Sequence, residues 1–139
     1  MQEPRRVKQV IVWRKDLKVR SGKMAAQVAH ASLAPIFQMM GRHNWNHDTG
    51  LVDYTIHTSV ESPFYMWKEG RFTKIVVGVD NEQQLLDLFA KVQAANIPSS
   101  LICDAGLTEF NGIPTNTAVG IGPWWADEID QFTGNLSLM

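Results

Sequence analysis

A polar stripe on a predicted helix is the first place where this sequence can do chemistry. The segment from Ser21 is rich in alanine, which favours helix, and Lys23, Gln27 and His30 recur in it at intervals of four and three residues. Residues at this spacing share one helix face. Lys23 lies in the opening turn, where the helix dipole disfavours a cation unless an anion is bound nearby. The stripe therefore indicates an anion site or, in the alternative, an ordinary solvated face.

Asp104 is the second candidate, because it directly follows the apolar residues 99–103, which predict a buried strand. In open α/β sheets, ligands bind beyond the carboxyl ends of the strands. The glycine- and proline-bearing stretch after Asp104 does not predict a helix that this carboxylate would cap. Asp104 can therefore act as a catalytic carboxylate, or it can accept backbone N–H groups in a local turn.

Metal and cofactor chemistry find little support in the sequence. His43 and His47 are four residues apart, but they lack the glutamate or cysteines of a zinc motif. The single cysteine, Cys103, excludes an intramolecular disulfide. The sequence contains neither a phosphate-binding Walker loop nor a dinucleotide fingerprint. We therefore expect no metal and no cofactor.

The charge of the chain is unevenly distributed, although the net charge is only −1. Residues 1–23 hold eight of the thirteen basic residues and only two acids, whereas residues 75–139 hold one basic residue and eight acids. This asymmetry predicts one basic face, where a polyanion can dock; chance clustering on a soluble surface is the alternative. The basic strip before the helix contains Arg14, Lys15, Lys18 and Arg20.

Strands and helices alternate along the 139 residues. Apolar runs predict strands at residues 7–13, 73–79, 99–103 and 117–121, and helical patterns begin at Ser21, Ser59, Asp80 and Trp124. We expect Pro35 to end, kink or restart the first helix. Residues 41–58 are polar and aperiodic, which predicts a long loop or insertion.

This order of elements predicts an α/β protein with a single domain over residues 1–139. We expect a three-layer sandwich in which a four-stranded mixed, mostly parallel sheet carries helices on both faces. No apolar run approaches the ~20 residues that span a bilayer, and the N-terminus lacks a signal-peptide pattern. We therefore expect a cytoplasmic protein with no membrane partner.

Two sequence blocks resemble the type 2 peptidyl-tRNA hydrolase family. Residues 15–31, KDLKVRSGKMAAQVAHA, are similar to its first block, and residues 101–123, LICDAGLTEFNGIPTNTAVGIGP, to its second. Residues 74–98 between them match the family's strand–helix pattern. The resemblance implies a four-stranded mixed sheet between helices and hydrolysis of the ester that joins a peptide to tRNA. It also implies a homodimer. We expect a reaction without a metal or a covalent intermediate, and no DNA partner.

The resemblance also implies the roles of individual residues. The matching positions are Lys23, His30, Asp104, Thr108 and Thr117. As a hypothesis for the reaction, Asp104 would hold and activate a water, and Thr108 would orient the carboxylate or the water. His30 would donate to the leaving ribose oxygen or complete the network. Lys23 would hold a phosphate or stabilise the oxyanion, and Thr117 would bond the substrate backbone. The basic strip would bind the tRNA backbone.

Two positions depart from the family pattern. Leu107 stands where the family usually has arginine, and Glu109 where glutamine is common. Both changes weaken the attraction for an anionic substrate. They favour, as the alternative function, an inactive tRNA- or RNA-binding protein on the same scaffold; a hydrolase of another small ester or amide and a purely structural role are further alternatives.

Overall fold

A computed structural model describes residues 4–139. These residues form ten helices and strands in the order β1 Val7–Arg14, α1 Ser21–Met39, β2 Gly41–His43, β3 Asp53–Thr55, α2 Pro63–Glu69, β4 Lys74–Val79, α3 Glu82–Ala94, β5 Ser99–Asp104, β6 Thr115–Trp125 and α4 Ala126–Thr133. All four strands and all four helices expected from the sequence are present. No helix in this part of the chain is long and apolar enough to span a bilayer.

The main sheet is mixed, with the strand order β4-β1-β6-β5. Strands β1 and β4 pair in parallel, whereas β6 pairs antiparallel with both of its neighbours, β1 and β5. The mixed sheet is confirmed, but the expectation of mostly parallel pairing is wrong. Strands β1, β4 and β5 do run in one direction. However, β6 follows β5 through a loop without a helix, so it returns antiparallel and separates β5 from β1.

The sheet lies between two layers of helices. Side chains alternate across a strand, so Val10 and Val12 face one side of β1 while Ile11 and Trp13 face the other. Leu85 of α3 and Ile129 of α4 pack with the valines, and Ala31 of α1 packs with Ile11 and Trp13. The three-layer arrangement with helices on both faces is therefore confirmed.

Helix α1 continues through Pro35 and lies unusually close to β6. Pro35 is buried inside the helix, so the expectation that it ends or restarts the helix is wrong. An ideal Cβ at Gly120 would lie 1.7 Å from the carbonyl oxygen of Ala31 and 3.2 Å from Cγ of Pro35. Only glycine allows this approach. It holds the middle of α1 against β6.

Strand β6 is longer than the sequence indicates, because it passes through Pro123. We expected the strand to end at Gly122–Pro123, but it runs to Trp125. Val10 pairs with Ile121 and Lys8 with Trp124, so Gly122 and Pro123 together lie opposite Gln9 in a β-bulge. A proline is tolerated in a bulge because no ladder hydrogen bond requires its missing N–H.

Residues 41–58 are not wholly a loop. Strands β2 and β3 pair antiparallel, with Arg42 opposite Tyr54, and form a separate two-stranded sheet. Each strand has three residues, which is too short for an apolar–polar alternation to be visible in the sequence. The prediction of a long loop is therefore wrong in part.

Candidate active site

The opening turn of α1 meets the end of β5, and the contact brings together two residues that are distant in sequence. Lys23 lies in that turn and Asp104 is the last residue of β5. The Nζ of Lys23 donates to Oδ1 of Asp104 at 2.8 Å. Both side chains are mostly shielded, with exposed fractions of 14% and 13%. The two strongest candidates of the sequence thus form one ion pair.

Asp104 accepts three hydrogen bonds. Lys23 Nζ and Gln27 Nε2 donate to Oδ1 at 2.8 and 3.0 Å, and the Gly106 amide donates to Oδ2 at 2.8 Å. The bond to Gly106 is the local turn considered as an alternative to chemistry, and it coexists with the ion pair. Gly106 has φ of +82°, and a Cβ there would lie 2.5 Å from the Ile113 carbonyl oxygen. The turn therefore requires glycine.

These donors keep Asp104 ionised. The hydrogen bond from Lys23 lowers the pKa of Asp104 below its usual value most strongly, and the Gly106 amide and Gln27 lower it further, while burial acts against them. Oδ1 already accepts two donors and Oδ2 only one, so Oδ2 has capacity for a further donor such as water. An aspartate in this state is a firm hydrogen-bond acceptor and a weak base.

Lys23 joins Asp104 to Thr108. Its Nζ also donates to Oγ1 of Thr108 at 2.8 Å and lies 5.6 Å from the centroid of the Phe110 ring. An ammonium has three N–H donors, and the side-chain bonds to Asp104 and Thr108 use two of them. Thr108 accepts from Lys23, so its own hydroxyl proton can point to a bound molecule. The third N–H of Lys23 and the Thr108 hydroxyl are suited to stabilise negative charge on an oxygen.

A buried network lies behind Asp104. The hydroxyl of Thr117 donates to Oε1 of Gln27 at 2.7 Å, and the Gln27 amide donates to Asp104. Thr117 is fully buried and Gln27 is 2% exposed. Thr117 is therefore placed behind the carboxylate rather than on the surface that a substrate reaches. Its contacts are those of a residue that orients Gln27.

His30 lies outside this cluster. The residue is exposed on α1, two turns after Lys23, and its ring makes no hydrogen bond within residues 4–139. The stripe is thus divided by the packing of the helix. Lys23 and Gln27 turn toward Asp104, whereas His30 remains at the surface.

The basic strip is largely neutralised by nearby acids. Arg14 pairs with Asp16 at 2.7 Å and also donates to the Asn116 carbonyl at 2.9 Å. Lys15 pairs with Asp80 at 3.2 Å. Lys18 makes no ion pair in the described part of the chain.

Arg20, the last member of the strip, is held by Glu109. Its Nε donates to Oε1 at 2.8 Å, and its backbone N–H donates to Oε2 at 3.2 Å. The Arg20 guanidinium lowers the pKa of Glu109, so this carboxylate is ionised beside the opening of α1. Helix α1 has no side-chain cap of its own at Arg20, and Glu109 supplies an acceptor there. Leu107, the other departure from the family pattern, is 88% exposed and apolar.

Sequence reasoning missed two contributors to the site. Gln27 belongs to the predicted polar stripe, but the resemblance assigns it no role; its role appears only through its contact with Asp104. The ion pair of Glu109 with Arg20 joins residues 89 positions apart, and no local signal predicts it. Within residues 4–139, no three His, Cys, Asp or Glu side chains come together as a metal site.

Comparison with known proteins places the chain in a family. A family model described as "Peptidyl-tRNA hydrolase PTH2" matches residues 7–139. The peptidyl-tRNA hydrolase of Thermococcus onnurineus is 38% identical over 138 residues, covering 96% of this chain and 98% of the relative. That of Halobacterium salinarum is 38% identical over 133 residues, covering 95% and 99%.

A solved structure shares the fold at low sequence identity. A protein of unknown function from Agrobacterium tumefaciens, Atu0240, superposes with a TM-score of 0.50 at 13% identity, covering 96% of this chain and 97% of the other. This likeness concerns the fold alone. The family assignment comes from the sequence matches, which extend over nearly the whole chain, and on them this protein belongs to the type 2 peptidyl-tRNA hydrolases.

Proposed function

We propose that the cluster of Lys23, Asp104 and Thr108 is the site at which this chain hydrolyses the ester bond between a peptidyl group and tRNA. The observation that carries the proposal is the position of the Lys23 ammonium, 2.8 Å from both Asp104 and Thr108 and largely shielded from solvent. Ester hydrolysis needs a positioned water and donors for the oxyanion that forms at the carbonyl oxygen. Asp104 supplies an acceptor that can position the water, and Lys23 and Thr108 supply donors for the oxyanion.

The reaction begins with a water at Asp104. Oδ2 accepts a hydrogen bond from the water and fixes its orientation, while Oδ1 stays engaged with Lys23 and Gln27. The water oxygen attacks the ester carbonyl carbon. The carbonyl oxygen becomes negative and is stabilised by the remaining N–H of Lys23 and by the Thr108 hydroxyl. The carbon–oxygen bond to the ribose then breaks.

Proton balance completes the step. The attacking water gives up both of its protons: one passes by way of Asp104 and solvent to the departing ribose oxygen, and the other is released to solvent when the product acid ionises. The products are free tRNA and a peptide with a carboxylate. Because the pKa of Asp104 is lowered, its main contribution is orientation of the water and electrostatics rather than strong general-base catalysis. His30 lies outside the cluster, exposed two turns along α1, and this step does not require it.

The basic residues give the site its preference for RNA. Lys18 makes no ion pair within the described residues, and Arg20 is 85% exposed although it pairs with Glu109. Arg14, the last residue of β1, and Lys15 after it join them in the surface that the phosphates of tRNA approach. We propose that the protein binds peptidyl-tRNA in the cytoplasm. We also propose that it acts as a homodimer. Sedimentation of the pure protein tests the last point.

The decisive experiment is release of free tRNA from an N-blocked aminoacyl-tRNA at low salt. Asp104→Asn removes the negative charge but keeps the size of the side chain, and we expect turnover to fall by at least about a hundredfold, the typical contribution of a positioned catalytic group. Asp87→Asn, an exposed substitution on α3, is the matched control and should retain full activity. Turnover by Asp104→Asn at the wild-type rate would refute the proposed site.

The same assay tests the inactive alternative. A binding protein on this scaffold would retain tRNA without turnover. Wild-type protein that binds tRNA with the expected salt dependence but releases no product would establish that alternative. Hydrolysis of simple esters that does not depend on the basic residues would indicate a different substrate.

A further inference from the structure

A second basic surface lies at the other end of the sheet. A cavity of about 730 Å³ opens between the start of β1 and the connection from α2 to β4. Arg5, Arg6, Arg71 and Phe72 are among its lining residues. Its volume falls within the ~300–1,000 Å³ of typical ligand sites. We call it the β1 groove.

The β1 groove is far from the Lys23–Asp104 cluster. Thr115 pairs with Asp104 at one end of β6, and Trp125 pairs with Val7 at the other end. Ten residue steps at about 3.4 Å each place the two sites roughly 30 Å apart. A ligand in the groove cannot touch the reacting ester. The groove can, however, contact another part of the same large substrate.

Phe72 forms an unusual wall of the groove. Its φ is +59°, a left-handed conformation that a bulky side chain rarely adopts. The residue remains 51% exposed. Its ring packs on Trp67 at 4.4 Å between centroids, and the Lys74 ammonium lies 3.0 Å from its centroid. The left-handed backbone thus holds an aromatic ring at the wall of the groove, and the Lys74 ammonium packs against that ring.

The acids near the groove are already paired. Arg5 binds Asp127 and Glu128, at 3.1 and 2.8 Å. Lys8 binds Asp130. Neither Arg6 nor Arg71 forms an ion pair with any residue from 4 to 139, and both are exposed. The cavity therefore presents uncompensated positive charge within the part of the chain that the structure describes.

We propose that the β1 groove binds the sugar–phosphate backbone of tRNA, with Arg6 and Arg71 contacting phosphates at a distance from the ester. The choice of RNA as ligand rests on the proposed function. Charge complementarity supports it, since guanidinium groups recognise phosphate through paired N–H donors. The groove adds affinity for the body of the RNA, and the Lys23–Asp104 cluster acts on its 3′ end.

Binding of uncharged tRNA is the direct test, because it needs no hydrolysis. We measure the affinity of wild type, Arg6→Gln, Arg71→Gln and the double variant over a range of salt concentrations. Each phosphate contact contributes about 0.7–0.9 to the slope of log affinity against log salt. The double variant should lose about 1.5 of that slope and bind at least about fivefold more weakly at low salt. Lys91→Gln on α3 removes one exposed charge elsewhere and is the control.

Two substrates then locate the effect. One is a full N-blocked aminoacyl-tRNA, and the other is the same ester on a short 3′-terminal oligonucleotide that cannot span the distance to the groove. The ratio of kcat/KM for the long substrate over the short one should fall in the double variant. An unchanged salt slope, or an equal loss on both substrates, would overturn the proposal.

Failure of the groove and failure of the proposed function give different results. If wild type hydrolyses neither substrate, the proposed function fails, and the binding slopes alone still decide whether the groove contacts tRNA. Thermal denaturation monitors folding of every variant. As a further variant, Phe72→Asn removes the ring but keeps a residue type that tolerates positive φ, and it should weaken tRNA binding in the same salt-dependent way.

Discussion

The hydroxyl of Thr117 donates a hydrogen bond to the side-chain oxygen of Gln27 at 2.7 Å, inside the protein. This bond decides which way the Gln27 amide faces. With its oxygen turned toward Thr117, the amide nitrogen faces Asp104 and donates to Oδ1 at 3.0 Å. A flipped amide would place oxygen against carboxylate. Thr117 is therefore a positioning residue for the carboxylate that we propose to hold the water.

Thr117→Val tests this role, because valine keeps the shape of threonine and removes the hydroxyl. Gln27 would lose its partner in a buried place, which costs about 1–3 kcal/mol of stability. We expect kcat to fall roughly tenfold or more while the affinity for tRNA stays the same, since about 1.4 kcal/mol in the barrier is a tenfold change. Thr117→Ser restores the hydroxyl and should recover kcat. Equal activity of the Val and Ser variants would contradict the role.

The ion pair between Lys23 and Asp104 predicts how the stability of the protein depends on pH. The pKa of Asp104 lies below its usual value near 3.8, mainly because of Lys23. The pKa of Asp104 is lower in the folded protein than in the unfolded chain. The ion pair therefore contributes its full stabilisation above the unfolded pKa of about 3.9, and this stabilisation is lost as the pH falls through the lower pKa of the folded state. Asp104 should therefore show no titration between pH 5 and 8. NMR of its carboxyl carbon measures this directly.

Lys23→Met shows whether the lysine causes the shift. Removing the ammonium takes away the largest lowering contribution and leaves the opposing effect of burial, so the pKa of Asp104 should rise above the wild-type value. Turnover should fall as well, because the oxyanion loses a donor. The same titration in Lys91→Met serves as the control. If the pKa of Asp104 were unchanged in Lys23→Met, the ion pair would not exist in solution.

The sequence predicts the components of the site better than their connections. Local rules identify Lys23 by its position in an opening helix turn and Asp104 by its place after a strand. They do not reveal that the two meet, because the contact depends on α1 lying close to β6 at Gly120. The same limit explains the basic strip: its charges are plain in the sequence, but the partner of Arg20 lies 89 residues away.

Helix caps and strand pairing illustrate the same limit at smaller scale. Serine is a residue type that often caps a helix, yet the cap position of α1 is Arg20 rather than Ser21, with Glu109 as acceptor. The directions of β1, β4 and β5 follow from their helical crossovers. The antiparallel position of β6 between β1 and β5 depends on which strands β6 pairs with, and no local sequence pattern predicts that pairing.

Glu109→Gln should strengthen tRNA binding. The carboxylate neutralises Arg20, whose side chain is 85% exposed, and lies near Lys23. The amide keeps the size and one acceptor oxygen but frees the charge of Arg20. We expect tighter binding at low salt and a salt slope greater by up to about 0.9, the contribution of one more phosphate contact. Glu61→Gln, which removes an exposed carboxylate without an ion pair in residues 4–139, is the control. Unchanged binding would show that Arg20 does not contact the RNA.

Gly120→Ala tests how α1 is held at the site. Pro35 lacks an N–H, so the Ala31 carbonyl four residues earlier has no helical donor, and it points to Gly120. A methyl group at position 120 would lie 1.7 Å from that oxygen, and both sides of the contact are backbone. The helix must move, at a cost of about 3 kcal/mol or more, and Lys23 moves with it.

Thermal and urea unfolding measure the cost of this contact. Gly22→Ala is the matched control, because a Cβ at Gly22 meets nothing within 4 Å, and alanine in a helix is favoured over glycine by up to about 1 kcal/mol. The two substitutions add the same methyl group and should change stability in opposite directions. Equal stability of Gly120→Ala and wild type would mean that α1 and β6 are not in contact, and the proposed pairing of Lys23 with Asp104 would lose its structural basis.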